Sequence, residues 1–110
     1  MDTADKLRDA NPWKAESDPV KLAVLGKLAE ELGELTAAVA RCIIQGVDGA
    51  HPVTGKPNID WLFEEHIDVE NMMYFLRRYV LGCSGTTKGL KEGERADKKC
   101  KHIEQWLASF

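Results

Sequence analysis

Two short acidic repeats constrain what this chain can fold into. Leu28-Ala-Glu-Glu-Leu-Gly-Glu34 and Phe63-Glu-Glu-His-Ile-Asp68 each set carboxylates three residues apart inside a run with helical apolar spacing. On a helix, residues i and i+3 share a face, so Glu31 projects with Glu34, and Glu65 with Asp68. Two such helices packed together would crowd these carboxylates into one small volume. Like charges that close repel strongly unless cations sit between them. Oxygen-only ligands of this kind suit hard divalent ions, magnesium above all, with manganese an alternative. Nothing else in the chain restricts its partners so tightly.

The surrounding pattern predicts an all-α fold. Ser17-Asp18-Pro19 supplies a capping side chain and then proline at the first helical position. Apolar residues then recur at Val24, Leu25, Leu28, Leu32, Leu35, Val39 and Ile43, and Gly46 can close the helix in a left-handed conformation. Glu31 and Glu34 fall at the edge of that stripe, not opposite it. The stretch 46–58 is rich in glycine and proline and reads as a long loop between the motif helices. Asn58 is expected to cap a second helix from Ile59 to about Leu81, ended by Gly82. There Glu64 and Asp68 fall within the apolar stripe and Glu65 borders it. Carboxylates on a buried face need partners or a metal.

Residues 1–17 form a polar N-terminal segment, with a short helix expected from Thr3 to Asp9 and broken by Asn11-Pro12-Trp13. A linker is expected from Cys83 to Lys88, then a third helix from about Gly89 to Ser109, amphipathic through Ile103, Trp106, Leu107 and Phe110. At 110 residues the chain is expected to make a single domain. Such a chain is short for burying a large core alone, so a helical bundle whose four-helix core is completed by oligomerisation is expected. The net charge of −3 argues against general nucleic-acid binding. No apolar run approaches a membrane span, and the first residues lack the apolar segment of a signal peptide. Three cysteines without paired spacing read as reduced thiols, which suggests a cytoplasmic setting.

The paired motif resembles that of the MazG-type all-α nucleoside triphosphate pyrophosphohydrolases: Glu-x-x-Glu on one helix (Glu31, Glu34) and Glu-x-x-Asp on the next (Glu65, Asp68). The flanks Lys27-Leu-Ala-Glu-Glu-Leu-Gly-Glu-Leu35 and Glu64-Glu-His-Ile-Asp-Val69 fit as well, and the likeness spans residues 20–82. It implies hydrolysis of nucleoside triphosphates between the α and β phosphates with magnesium held by Glu31, Glu34, Glu65 and Asp68. It also implies pairing as dimers or dimers of dimers. The long loop is similar to that of phage-encoded members, some of which act on purine deoxynucleotides.

Around this set, Asn71, Lys27 and Lys56 are candidates for contacting sugar or phosphate, and Trp61 for stacking a base. Each also has a plainer reading: polar surface for the first three, core for Trp61. His66 reads as a surface histidine, Glu30 as solvated, and Glu64 as either an ion-pair partner or a further ligand. Trp13, Met72, Met73 and Tyr79 read as core. No Glu-x-x-His occurs on the motif helices, which argues against a di-iron centre. Thr54-Gly55-Lys56 runs into Pro57 and makes no P-loop. Two other classes stay open: a non-catalytic acidic helical module that docks a basic partner, and a metal-binding bundle without catalysis.

Overall fold

The computed structural model describes residues 2–10, 12–82 and 86–110. They form α1 (Thr3–Ala10), α2 (Pro19–Gln45), α3 (Asn58–Leu76) and α4 (Thr86–Ala108); α3 runs on through a π-helical turn, Arg77–Leu81. No strand occurs among the described residues. The chain is all-α, and no described helix is long and apolar enough to cross a membrane.

Helix α2 begins where its capping signal lies. Asp18 stays extended, its carboxylate accepts the Val20 and Lys21 N–H groups at 2.9 Å, and Pro19 follows. A cap of this kind contributes about 1 kcal/mol. At the far end Gly46 takes φ +92° and donates its N–H to the Cys42 carbonyl. Gly82 closes the π turn in the left-handed region, φ 59° and ψ 41°.

Helices α2 and α3 pack as an antiparallel hairpin, and α3's π turn also touches α2. The seam repeats at alternating steps of three and four. On α2 it runs through Leu28, Glu31, Leu35, Ala38 and Cys42; on α3 through Asn58, Leu62, Glu65, Val69, Met72 and Leu76. That is the spacing of antiparallel helices meshing side chains at a shallow angle. Glu31 and Glu65 therefore occupy seam positions that would ordinarily hold hydrocarbon.

The apolar stripe read from the sequence splits in two. Leu28 and Leu35 face α3, whereas Leu25, Leu32, Val39 and Ile43 lie about a quarter turn away and are 38%, 39%, 42% and 78% exposed. On α3, Ile59, Phe63 and Ile67 are likewise uncovered. Helices α1 and α4 make no packing contact with the hairpin among the described residues. The radius of gyration is accordingly 19.8 Å, against about 13 Å for a compact chain of this length.

Several sequence expectations need correction. Trp13 is 82% exposed, Tyr79 42% and Met73 36%; of the four residues expected in the core only Met72 is buried. Asn58 does not cap α3. Pro57 stands at that position without a side-chain cap, and Asn58 is the first helical residue, 1% exposed. Its amide instead donates to the Gly46 carbonyl at 3.0 Å and the Gln45 Oε1 at 3.5 Å, tying the end of α2 to the start of α3. Helix α4 starts at Thr86, so the expected linker is helical from there. Cys83–Gly85 of that linker, and Asn11 of the expected break, lie outside the described residues. The first helix runs one residue further than expected, to Ala10.

The 46–58 loop is built from its own backbone. Ala50 and Pro57 form an isolated antiparallel bridge, with His51 donating its N–H to the Lys56 carbonyl and Asn58 donating to the Gly49 carbonyl, both at 2.9 Å. The His51 Nδ1 accepts from the Val53 and Thr54 N–H groups at 3.1 Å, so the neutral ring carries its proton on Nε2. Gly49 is required here: a Cβ would meet the Gln45 carbonyl oxygen at 2.5 Å.

Candidate metal centre

The seam carries the site. Glu31 sits on α2 where it faces α3, and Glu65 faces back from α3. Glu34 and Asp68 each follow by one turn at the rim. One carboxylate oxygen from each of Glu31, Glu34, Glu65 and Asp68 lies within 4.8 Å of the others. Glu31 is 8% exposed and Glu65 half-buried, while Glu34 and Asp68 open to solvent. The Oε2 atoms of Glu31 and Glu65 are buried and have no hydrogen-bond partner. A desolvated, unpartnered carboxylate oxygen is costly. These donors, all hard oxygens, fit a divalent cation, which would satisfy both orphaned atoms at once.

Repulsion within the cluster registers on Glu34. Its carboxyl is held above the ordinary carboxylate range, first by the charge of Glu31, then by burial, then by the charge of Glu65. Lys27 is a compensating cation. Its ammonium lies 3.3 Å from Glu31 Oε1 and 3.3 Å from Glu30 Oε1, and these contacts raise its pKa. Lys27 thus reaches the cluster by pairing with a carboxylate, and Glu30 is a solvated ion-pair partner.

The remaining candidates separate. Lys56 pairs with Glu64 at 2.7 Å, which resolves Glu64 as an ion-pair partner. Asn71 is exposed one turn beyond Asp68, with no hydrogen bond to the four carboxylates. His66 is exposed and lies 3.1 Å from Glu70, as a surface histidine would. Trp61 is half-buried and lines a cleft of about 340 Å³ together with Glu34, Ala37, Ala38, Arg41 and Glu65. Its ring lies nearly parallel to that of His51, at 6.2 Å and 12° between planes, and Lys56 approaches it at 5.0 Å.

Arg41 escaped the sequence reading. Its guanidinium lies 4.2 Å from the centre of the Trp61 ring. The signal was present: Arg41 follows Glu34 by seven residues, almost two full turns, and so falls on the same face. Ala37 and Ala38 between them are small enough to leave the cleft open.

Comparison with known proteins gives no match: no family model fits the chain, and no curated protein or solved structure matches it.

Proposed function

We propose that the acidic cleft is the active centre of a magnesium-dependent hydrolase converting (deoxy)nucleoside triphosphates to the monophosphate and pyrophosphate. One observation carries the reading: four carboxylates converge within 4.8 Å across a helical seam, with buried oxygens left unpartnered on Glu31 and Glu65. A structural role alone would favour hydrocarbon at those seam positions, because buried charges without partners destabilise a fold. The motif's resemblance to the MazG-type enzymes supplies the reaction type.

In this reading Glu31, Glu34, Glu65 and Asp68 hold the ion, with Mn²⁺ as a substitute for Mg²⁺. When bound, the ion neutralises polyphosphate charge and lowers the pKa of water. Glu31 or Glu34 orients the attacking water and accepts its proton. Attack in line on the α-phosphorus forms a new P–O bond and breaks the bond to the α–β bridging oxygen, which leaves with pyrophosphate. No covalent nucleophile is needed. Trp61, which lines the cleft, would stack on a base in place of His51, the ring now parallel to it. Lys27 would exchange its contact with Glu31 for a phosphate oxygen, and Asn71 and Lys56 lie at the margin. A purine deoxynucleotide is the preferred substrate in this proposal.

The uncovered apolar faces of α2 and α3 support a homo-oligomer, a dimer or dimer of dimers completing a four-helix core. The proposal includes a cytoplasmic location. The deciding experiment is a panel of nucleoside and deoxynucleoside triphosphates with magnesium, products resolved by chromatography. Monophosphate and pyrophosphate are expected; diphosphate and orthophosphate would refute attack at the α-phosphorus. Magnesium binding without turnover would leave a metal-binding bundle, and absence of both a docking module.

A further inference from the structure

Two cations near the acidic cluster and Trp61 are already engaged. Lys27 pairs with Glu30 and Glu31, and Lys56 with Glu64. Arg41 has no carboxylate within 4.0 Å among the described residues, although it lines the same cleft as Glu34 and Glu65. Its Nη1 is buried without a hydrogen-bond partner, and so is the indole Nε1 of Trp61, on which the guanidinium rests. Glu65, whose Oε2 is also buried and unpartnered, lines the same cleft, and Glu31, with the same deficit, belongs to the acidic cluster that Glu34 and Glu65 share.

We infer that Arg41, whose guanidinium lies over the Trp61 ring, is a phosphate-binding residue of this cleft, donating to non-bridging oxygens of a polyphosphate whose other oxygens face the four carboxylates through a divalent cation. The inference rests on the metal-dependent reading above, because it takes the ligand's charged part to be a polyphosphate. A guanidinium over an aromatic ring keeps a fork of N–H donors that suits phosphate oxygens and that lysine cannot reproduce. An anion entering among four carboxylates must bring compensating positive charge. Polyphosphates chelate divalent ions; a lone peptide carboxylate does so weakly. The orphaned Glu65 oxygen and the orphaned N–H groups of Arg41 and Trp61 in one cleft are what a metal–polyphosphate complex would satisfy together, with cation on one side and acceptor oxygens on the other.

The test uses the full chain with Trp13→Phe and Trp106→Phe, so that of the three tryptophans only Trp61 reports by fluorescence. Inorganic triphosphate is titrated at saturating Mg²⁺, and Mg²⁺ alone is titrated separately. Arg41→Gln is expected to weaken triphosphate binding by about tenfold or more, the loss of a charge-assisted hydrogen bond. Its affinity for Mg²⁺ alone should stay within about twofold. Arg41→Lys, which keeps the charge but not the fork, should recover only part of the loss. Circular dichroism checks that each variant is folded. Triphosphate binding by Arg41→Gln equal to the parent would overturn the assignment, as would a parent that binds no triphosphate with Mg²⁺ present. Failure of the proposed hydrolysis is separable: a chain that binds triphosphate through Arg41 but cleaves no nucleotide would refute the reaction and leave this residue's role standing.

Discussion

Two clefts of the α2–α3 hairpin differ in their chemistry. One, about 340 Å³, is walled by Glu34, Glu65, Arg41 and Trp61. The other, about 580 Å³, is lined by Leu35, Ile59, Leu62 and Phe63, with Asp60 and His66 at its edge. Both are incomplete, and for different reasons. The first lacks polar partners: the Glu65 Oε2 and the N–H groups of Arg41 Nη1 and Trp61 Nε1 are buried without a hydrogen bond among the described residues. The second lacks cover: Phe63 is 62% exposed and Ile59 47%. Electrostatic deficits call for an ion and its ligand, whereas apolar deficits call for surface area. A second copy of the chain could supply the area without supplying the charge, so the clefts should respond independently to substitution.

The largest effect is expected in the acidic cleft. Glu34→Gln or Asp68→Asn should lower nucleotide turnover by about a hundredfold or more, since each removes a ligand of the proposed ion. Helix content by circular dichroism should be unchanged. Turnover within about threefold of wild type in both variants would break the assignment of these carboxylates.

The next largest belongs to the apolar cleft. Phe63→Glu combined with Ile59→Gln, both on the exposed face, should lower the molar mass in light scattering by at least half, while Mg²⁺ affinity changes little. A wild-type chain that is a stable 12.3 kDa monomer at micromolar concentration would show that the exposed face needs no partner.

Metal stabilisation comes third. Ions that bind only the folded state at a hundred times Kd add about 2.7 kcal/mol, which raises Tm by several degrees in a domain of this size. Wild type should show this in a magnesium or manganese series, and Asp68→Asn should gain much less. A melt indifferent to magnesium up to about 10 mM, with and without a non-hydrolysable nucleotide, would favour the docking-module reading.

The pH dependence sharpens the same point. The folded Glu34 carboxyl lies above its ordinary value because of Glu31, burial and Glu65, in that order. An acid raised on folding binds its proton more tightly in the native state. Its contribution is therefore favourable below the ordinary carboxylate range and is lost as pH rises to the raised value. Above the raised value the repulsion stands in full. Without metal, Glu34→Gln should melt above wild type at pH 7, and that lead should shrink on acidification through the raised value. A lead that grows in acid would contradict the repulsion.

The smallest effect concerns the loop. Gly49→Ala forces a Cβ to 2.5 Å from the Gln45 carbonyl and should cost about 1–3 kcal/mol in denaturant unfolding. Shortening the loop should alter the ranking among bases more than metal affinity. An unchanged ranking would leave it a connector only.

Local interactions made much of this protein legible in its sequence. Asp18-Pro19 and Gly46 mark the ends of α2 because capping depends on residues adjacent in the chain. The spacing of Glu31 with Glu34, and of Glu65 with Asp68, fixes shared faces through helix geometry alone, and the convergence of these carboxylates in space agrees with it. Which apolar face would be covered was not decided locally. The stripe on α2 is wide enough for two seams, and only the packing of α3 chose Leu28, Glu31, Leu35, Ala38 and Cys42. Asn58 was legible as a polar residue at a helix start, yet its partners, Gly46 and Gln45, are set by how the loop closes. Glu64 had two readings until the loop carried Lys56 to it. Arg41 and Trp61 lie twenty residues apart on different helices, and their stacking exists only because the hairpin's register sets one across from the other. Helix ends and faces follow from neighbours within a turn or two, whereas the pairing of side chains across a seam depends on register, which no single helix encodes.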